Sequence, residues 1–307
     1  MNILVSGSTG LVGTALISAL TAAGHEVIRL VRVKSRTPSK EIIGWDPAAH
    51  YIDAAGLEGL DAIVHLAGEP IASGRWNSAK KTRIRDSRVQ GTRLLCETLS
   101  HVARPPQALI CASAIGYYGD RGDEVLTESS PVGRGFLAEV CRDWEAACEP
   151  ARQKGVRVVN TRFGVILSTA GGALAKLITP FKMGLGGIIG SGRQSMSCLS
   201  IDDCIGAILY ALQTASVVGP VNVVGPTPVT NRDFTKTLGR VLGRPTVFPM
   251  PAFAARLAFG EMADELLLNS QRVEPRKLLE SGYAFHHRDL ETALRHVLER
   301  ADGPGGT

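Results

Sequence analysis

A short apolar strand running straight into a glycine-punctuated turn constrains this chain more than any other feature. Ile3-Leu4-Val5 leads into Ser6-Gly7-Ser8-Thr9-Gly10-Leu11-Val12-Gly13, and apolar residues then recur at helical spacing to Ala23. Gly24 closes that helix, because glycine takes the left-handed conformation a helix end needs. Glycines at this spacing let the strand turn sharply and let the helix lie close against it. The first backbone N–H groups of the helix then point outward at its positive end, where a pyrophosphate can approach them. Gly7, Thr9, Gly10, Leu11, Val12 and Gly13 are therefore expected to line a dinucleotide.

The first half of the chain continues as an alternation. Strands fit residues 26–31, 62–66, 108–112 and 156–161, and helices fit 78–102 and 136–154, the former stopped by Pro105 and Pro106. Almost wholly apolar strands separated by helices predict a parallel sheet covered on both faces, an α/β fold of the Rossmann, doubly wound kind. After residue 168 the pattern changes. Gly171-Gly172 and the run Gly184, Gly186, Gly187, Gly190 and Gly192 interrupt regular structure, and Thr230 is a good N-cap for a helix over 231–242. This divides the chain into a dinucleotide-binding domain at 1–167, to which later segments return, a smaller and mostly helical substrate lobe at 168–300, and a flexible tail at 301–307.

Composition narrows the function. The chain has 307 residues, 44% hydrophobic and 21% charged, as expected of a soluble protein with a filled core. No apolar run approaches the roughly 20 residues that span a bilayer, and no basic leader precedes the first strand, so a cytoplasmic protein is expected. Six cysteines without CxxC or histidine spacing read as reduced and buried, and no metal site is expected. The net charge of +5 is concentrated in Arg29, Arg32, Lys34, Arg36 and Lys40, and again in Arg75, Lys80, Lys81, Arg83, Arg85 and Arg88. No nucleic-acid motif accompanies these clusters and aromatics are only 5%, which points to a phosphorylated small ligand over a nucleic acid. At the end of the second strand, where an NAD site places an acid, the chain has Val31-Arg32-Val33-Lys34. A guanidinium can hold a 2′-phosphate through two hydrogen bonds, so Arg32, beside Val31, selects NADP(H); the other possibility is a plain surface arginine.

Further stretches resemble a known family: His65-Leu66-Ala67-Gly68-Glu69, Arg75-Trp76-Asn77, Ser87-Arg88-Val89-Gln90-Gly91-Thr92, Pro249-Met250-Pro251 and Leu278-Leu279-Glu280-Ser281-Gly282-Tyr283. Together with the opening glycines, the whole chain is similar to the atypical and extended short-chain dehydrogenases. Among these it resembles the "epimerase family protein" branch of the NAD(P)-dependent epimerase/dehydratases, which has its own C-terminal helical module. The resemblance implies that Leu66, Ala67 and Gly68 line the adenosine side of the cofactor, that Arg88 lies near the nicotinamide ribose with Arg83 turned the same way, and that Ile166 passes the nicotinamide. Without the family these are a strand end, two helix arginines and a core isoleucine. The resemblance also implies a homodimer formed through two long helices.

Relatives transfer the proton that accompanies hydride movement with a Tyr-xxx-Lys pair assisted by Ser or Thr. The corresponding helix here reads Gly135-Phe136-Leu137-Ala138-Glu139-Val140-Cys141-Arg142, which holds neither. Ser113, Tyr117 and Tyr118 are the remaining hydroxyls near the expected nicotinamide face, and they serve equally well as strand-end and loop residues that shape the cleft. Trp76 is the aromatic candidate for a substrate wall or, alternatively, a half-buried structural tryptophan. Where relatives carry an aromatic and a His before the acidic pair Asp202-Asp203, this chain has Cys198 and Ser200. Two functions fit: an NADP(H)-dependent oxidoreductase or epimerase acting on a small molecule, or a non-catalytic NADP(H)-binding sensor.

Overall fold

The computed structural model describes residues 1–32 and 41–302. The first half builds β1 (Asn2–Ser6), α1 (Leu11–Ala22), β2 (Glu26–Arg32), β3 (Ile42–Asp46), β4 (Tyr51–Ile52), β5 (Ala62–His65), α2 (Ser78–His101), β6 (Ala108–Ala114), β7 (Val125–Leu126), α3 (Phe136–Ala146), α4 (Glu149–Gln153) and β8 (Arg157–Phe163). There follow β9 (Val165–Leu167), α5 (Gly172–Lys182), β10 (Ser195–Met196), β11 (Cys198–Ser200), α6 (Ile201–Gln213) and β12 (Gly219–Val223). The remainder is β13 (Val229–Thr230), α7 (Asn231–Val241), α8 (Ala252–Phe259), β14 (Arg272–Val273), α9 (Arg276–Glu280) and α10 (Leu290–Asp302).

Eight strands join in one sheet in the order β12-β8-β6-β5-β1-β2-β3-β4. Every pairing in it is parallel except β3 with β4. Alternate side chains of each strand feed opposite faces, as the pleat requires. Ile3, Val5, Val64 and Ile110 pack with Leu16 and Leu20 of α1 and with α6, whereas Leu4, Ile63 and Leu109 pack with α2, Trp144 of α3 and Ala151 of α4. Fully apolar strands are thus explained by two buried faces. From β1 the chain builds outward through β2 and β3, then returns to the other side of β1 with β5, β6 and β8. The order therefore reverses between β1 and β5, and a crevice opens at their carboxyl ends.

Three local expectations need correction. Residues 42–46 and 51–52 form strands that the sequence pattern hides, since Gly44 interrupts the apolar run, although Ile43 and Trp45 both fill the α2 side. The helix expected over 136–154 is two helices, broken at Ala147-Cys148; Pro150 falls in the first turn of α4, where its missing N–H needs no partner. At the C-terminus α10 runs through Asp302, two residues into the expected tail, and residues 303–307 lie outside the described part. The glycine-rich stretch after α5 is irregular up to β10, as anticipated. Beyond the sheet, Leu174 and Phe181 of α5, Phe234 and Leu238 of α7, and Leu290, Leu294 and Val297 of α10 make a separate apolar cluster. Among the described residues no helix is long and apolar enough to cross a membrane.

Candidate functional site

The crevice is shaped first by backbone contacts that exclude side chains. Gly7 has φ +66°, and a Cβ there would lie 2.8 Å from the carbonyl of Leu66. One on Gly13 would lie 2.2 Å from the Gly7 oxygen. These two glycines let β1, the β5 end and α1 converge. Gly10 is the N-cap of α1 and has no side chain to offer, so the first-turn N–H groups keep their outward donors. Thr9 and Gly10 are exposed, and Leu11 and Val12 are half-buried beside them. These residues fit a dinucleotide pyrophosphate, through open donors at the positive end of a helix and glycine backbone that lets it come close.

Ser6 ties the two flanking strands together. Its Oγ accepts from the N–H groups of Leu66 at 3.0 Å and Ala67 at 3.2 Å, and lies 2.8 Å from His65 Nδ1. A hydroxyl that already accepts twice gives its one proton to Nδ1, which leaves His65 neutral with its proton on Nε2. That nitrogen is buried and has no hydrogen-bond acceptor among the described residues. Its ring stands edge-on to Trp45, centroids 5.7 Å apart. Burial pushes the imidazole pKa down to about 4. The motif beginning at His65 is thus a brace, and no local pattern announces that Ser6, 59 residues away, belongs to it.

The charged candidates separate. Arg32 is exposed at the last residue of β2, two positions past Leu30, the partner of Ser6 across the ladder. Lys34, Arg36 and Lys40 lie outside the described residues. Val31 is half-buried next to Arg32. Arg88 turns inward: Nη1 donates to the carbonyls of Glu69 at 3.0 Å and Ile84 at 3.1 Å. Its guanidinium stands 3.2 Å from where a Gly68 side chain would begin and over the Trp144 ring. Arg83 points outward, 59% exposed and 3.7 Å from Glu69. The Glu69 carboxyl is held below its usual range chiefly by the hydrogen bond from the buried Lys80, at 2.7 Å. Gly172 brings two further candidates together: its Cβ position would contact both Leu11 and the backbone of Ile166.

The candidate hydroxyls differ sharply in freedom. Ser113 is 2% exposed and donates to Glu145 at 2.7 Å, and Glu145 is gripped at both oxygens by Arg162. Tyr118 is fully buried, donates to Asn222 at 2.6 Å and accepts from Arg162; burial pushes its pKa up to about 12. Tyr117 is half-buried with its ring 3.5 Å from the Arg162 guanidinium, and no hydrogen bond to its hydroxyl is formed among the described residues. Cys141, one of the positions where a lysine would follow, is buried, and its thiol is pushed up to about 12.

A carboxyl missed by sequence reasoning stands at the head of α3. Glu265 accepts from the N–H of Phe136 at 3.1 Å and of Leu137 at 3.4 Å, and Oε1 fills the space a side chain on Gly135 would need. Burial raises its pKa. Beside it Phe136 meets Trp76 edge to face, centroids 5.5 Å apart, with Lys81 Nζ 4.6 Å from the Phe136 centroid. Trp76 donates from Nε1 to the Ile71 carbonyl at 2.8 Å, which fixes the plane of its half-buried ring. Glu265 lies 129 residues from Phe136, so no local pattern could have announced the contact.

Known proteins resemble this chain in sequence and fold. The sequence signature of the NAD dependent epimerase/dehydratase family spans residues 3–225, and a domain of unknown function, DUF1731, matches 250–297. The chain is 44% identical over 299 residues to the epimerase family protein Mb2239 of Mycobacterium bovis, covering 97% of this chain and 98% of that protein. It is 37% identical over 303 residues to the epimerase family protein YfhF of Bacillus subtilis, with coverage of 97% and 98%. Among solved structures, the human epimerase family protein SDR39U1 with NADPH superposes at a TM-score of 0.89 and 36% identity, covering 97% of this chain and 99% of that one. An eight-stranded, mostly parallel sheet with its glycine turn at the switch point and this end-to-end similarity lead to one conclusion: the chain belongs to the NAD-dependent epimerase/dehydratase family.

Proposed function

We propose that this protein binds NADP(H) in the β1–β5 crevice and acts as an oxidoreductase or epimerase on a small carbonyl or carbinol compound. Arg32 holds the 2′-phosphate, the first turn of α1 holds the pyrophosphate, and Leu66, Ala67 and Gly68 flank the adenosine. Arg88 and Ile166 face the nicotinamide ribose and ring, with Arg83 at the rim. NADPH bound to the human relative supports this choice of cofactor. The bound nicotinamide supplies or takes the hydride.

One observation carries the catalytic half: the Glu265 carboxyl at the head of α3, at the helix where relatives place their tyrosine. A carboxyl with a raised pKa keeps its proton closer to neutrality, which suits a general acid that protonates the oxygen as hydride reaches the carbon. Tyr117 is the second donor within this proposal. Ser113 and Tyr118 brace the strand ends through Glu145 and Arg162, and Trp76 with Phe136 forms the substrate wall.

NADPH consumption across a carbonyl panel tests the assignment. Glu265→Gln is expected to lower kcat by about 100-fold or more with NADPH affinity kept. Turnover should also fall as pH rises through the carboxyl's raised pKa. Undiminished turnover in Glu265→Gln removes Glu265 from the reaction. The committed hydroxyls of Ser113 and Tyr118 favour a second function, a cofactor sensor. Tight NADPH binding with no turnover on any carbonyl class would establish it over the first.

A further inference from the structure

The loop between β5 and α2 is fastened from two sides. At its start Glu69 is held three ways by α2: its N–H donates to Ser87 Oγ at 3.0 Å, its carbonyl accepts from Arg88 at 3.0 Å, and its carboxyl accepts from Lys80 at 2.7 Å. From the other side comes α5, where Lys176 Nζ donates to the Ala72 carbonyl at 2.7 Å. Further along, Arg75 donates to the Leu257 carbonyl of α8 at 3.0 Å. Followed round, these contacts make a closed circuit. Gly172 at the start of α5 lies against α1, since a Cβ there would stand 3.4 Å from the Leu11 side chain. Lys176 is one helical turn further along α5 and reaches Ala72. From Ala72 the chain leads back through Gly68 to Leu66, whose N–H is held by Ser6 Oγ and whose carbonyl abuts Gly7. The Gly7 carbonyl accepts from the N–H of Gly10, the N-cap of α1, at 2.9 Å, which returns the circuit to Leu11.

We propose that Lys176 is a positioning residue that latches this loop over the dinucleotide, so that NADP(H) enters and leaves only while the bond from Lys176 to Ala72 is broken. Given the cofactor assignment proposed above, on which this rests, the dinucleotide lies on the first turn of α1 with Leu66 to Gly68 on one side and Ile166 on the other. It then passes beneath the one side of the circuit that no backbone closes. Lys176 suits a latch that opens. Its ammonium is exposed, forms no ion pair among the described residues, and gives a hydrogen bond to a neutral carbonyl. Water replaces such a partner at small net cost. The other end of the loop does not open with it, because Glu69 has its three partners on a single helix. The loop is thus anchored at Glu69 and released at Ala72. A gate of this kind slows entry and exit together, whereas a direct bond to the bound cofactor slows exit alone.

Stopped-flow fluorescence of NADPH binding to the full chain, and of its displacement, measures both rates. Lys176→Gln is expected to raise the association and dissociation rate constants together by about 5- to 10-fold, with Kd kept within about twofold and the melting temperature unchanged. Lys176→Arg, which still carries a donor to Ala72, should keep the slow rates. Lys182→Gln removes the same charge from the end of the same helix, so it reports electrostatic steering alone and should raise neither rate. Unchanged rates in Lys176→Gln overturn the proposal. Faster dissociation alone, with an equal rise in Kd, overturns it in favour of a direct bond from Lys176 to the cofactor phosphates. A wild-type chain that binds no NADPH overturns the cofactor assignment and the latch with it, a result distinct from both.

Discussion

Ser6 has one proton to give, and the two N–H groups it already accepts direct that proton to His65. A histidine held neutral in this way couples the cofactor crevice to acid. Its folded pKa of about 4 lies below the ordinary value of 6.5, so between those values the unfolded chain binds more protons than the folded one. Stability is therefore full above pH 6.5 and is lost as pH falls toward 4, by on the order of 3 kcal/mol for this group alone. Thermal melts at pH 7 and pH 4.5 should show the loss in wild type. His65→Phe should be less stable at pH 7, because the Ser6 proton is stranded, yet lose less between the two conditions. Arg32 acts by a simpler rule. Arg32→Asp should weaken NADPH binding by about 10- to 100-fold through loss of a bidentate phosphate contact and spare or improve NADH binding. Equal loss of both in a fluorescence titration would remove Arg32 from the 2′-phosphate.

Elements were legible where local rules agree. The turn from β1 into α1 is written in eight consecutive residues, and the alternation of apolar strands with helices led to a sheet buried on both faces. Capping behaves likewise: Thr230 and Asp233 satisfy each other's backbone N–H groups at the start of α7, a contact three residues long. Legibility ends where tertiary contact overrides pattern. β3 is a strand because Trp45 fills the space above Gly91 of α2, not because its own alternation demands it. The pairing of Glu145 with Arg162 converts Ser113 from an accessible hydroxyl into a buried one. Both Ser113 and Tyr118 look equally available in sequence, and only their neighbours from α3, β8 and β12 distinguish them from Tyr117.

At the scale of the molecule, the crevice lies at the switch point of a sheet that runs from β12 to β4, while the head of α3 is held by a segment beyond α8. The sheet supplies the cofactor side and the later lobe supplies a carboxylate cap, one of several contacts between them that also include Lys81 with Glu261 and Gln271 with the carbonyls of Ile115 and Gly119. Removing that cap should be felt in stability as well as in chemistry. Glu265→Ala should lower stability by about 1 kcal/mol, as loss of an N-cap does, whereas Glu265→Gln keeps an acceptor and should lose less. Chemical denaturation of the two variants side by side measures the difference.

The long separation between Phe136 and Glu265 also sets an order in time. During synthesis the glycine turn and the strands around it emerge first, and α3 follows with its leading N–H groups open. At about 5–20 residues per second, the carboxylate that closes them arrives on the order of ten seconds later. The glycine turn and the strands that shape the crevice are thus made well before the carboxylate that closes the head of α3 beside Trp76, so that end of the crevice is the last part of it to be completed.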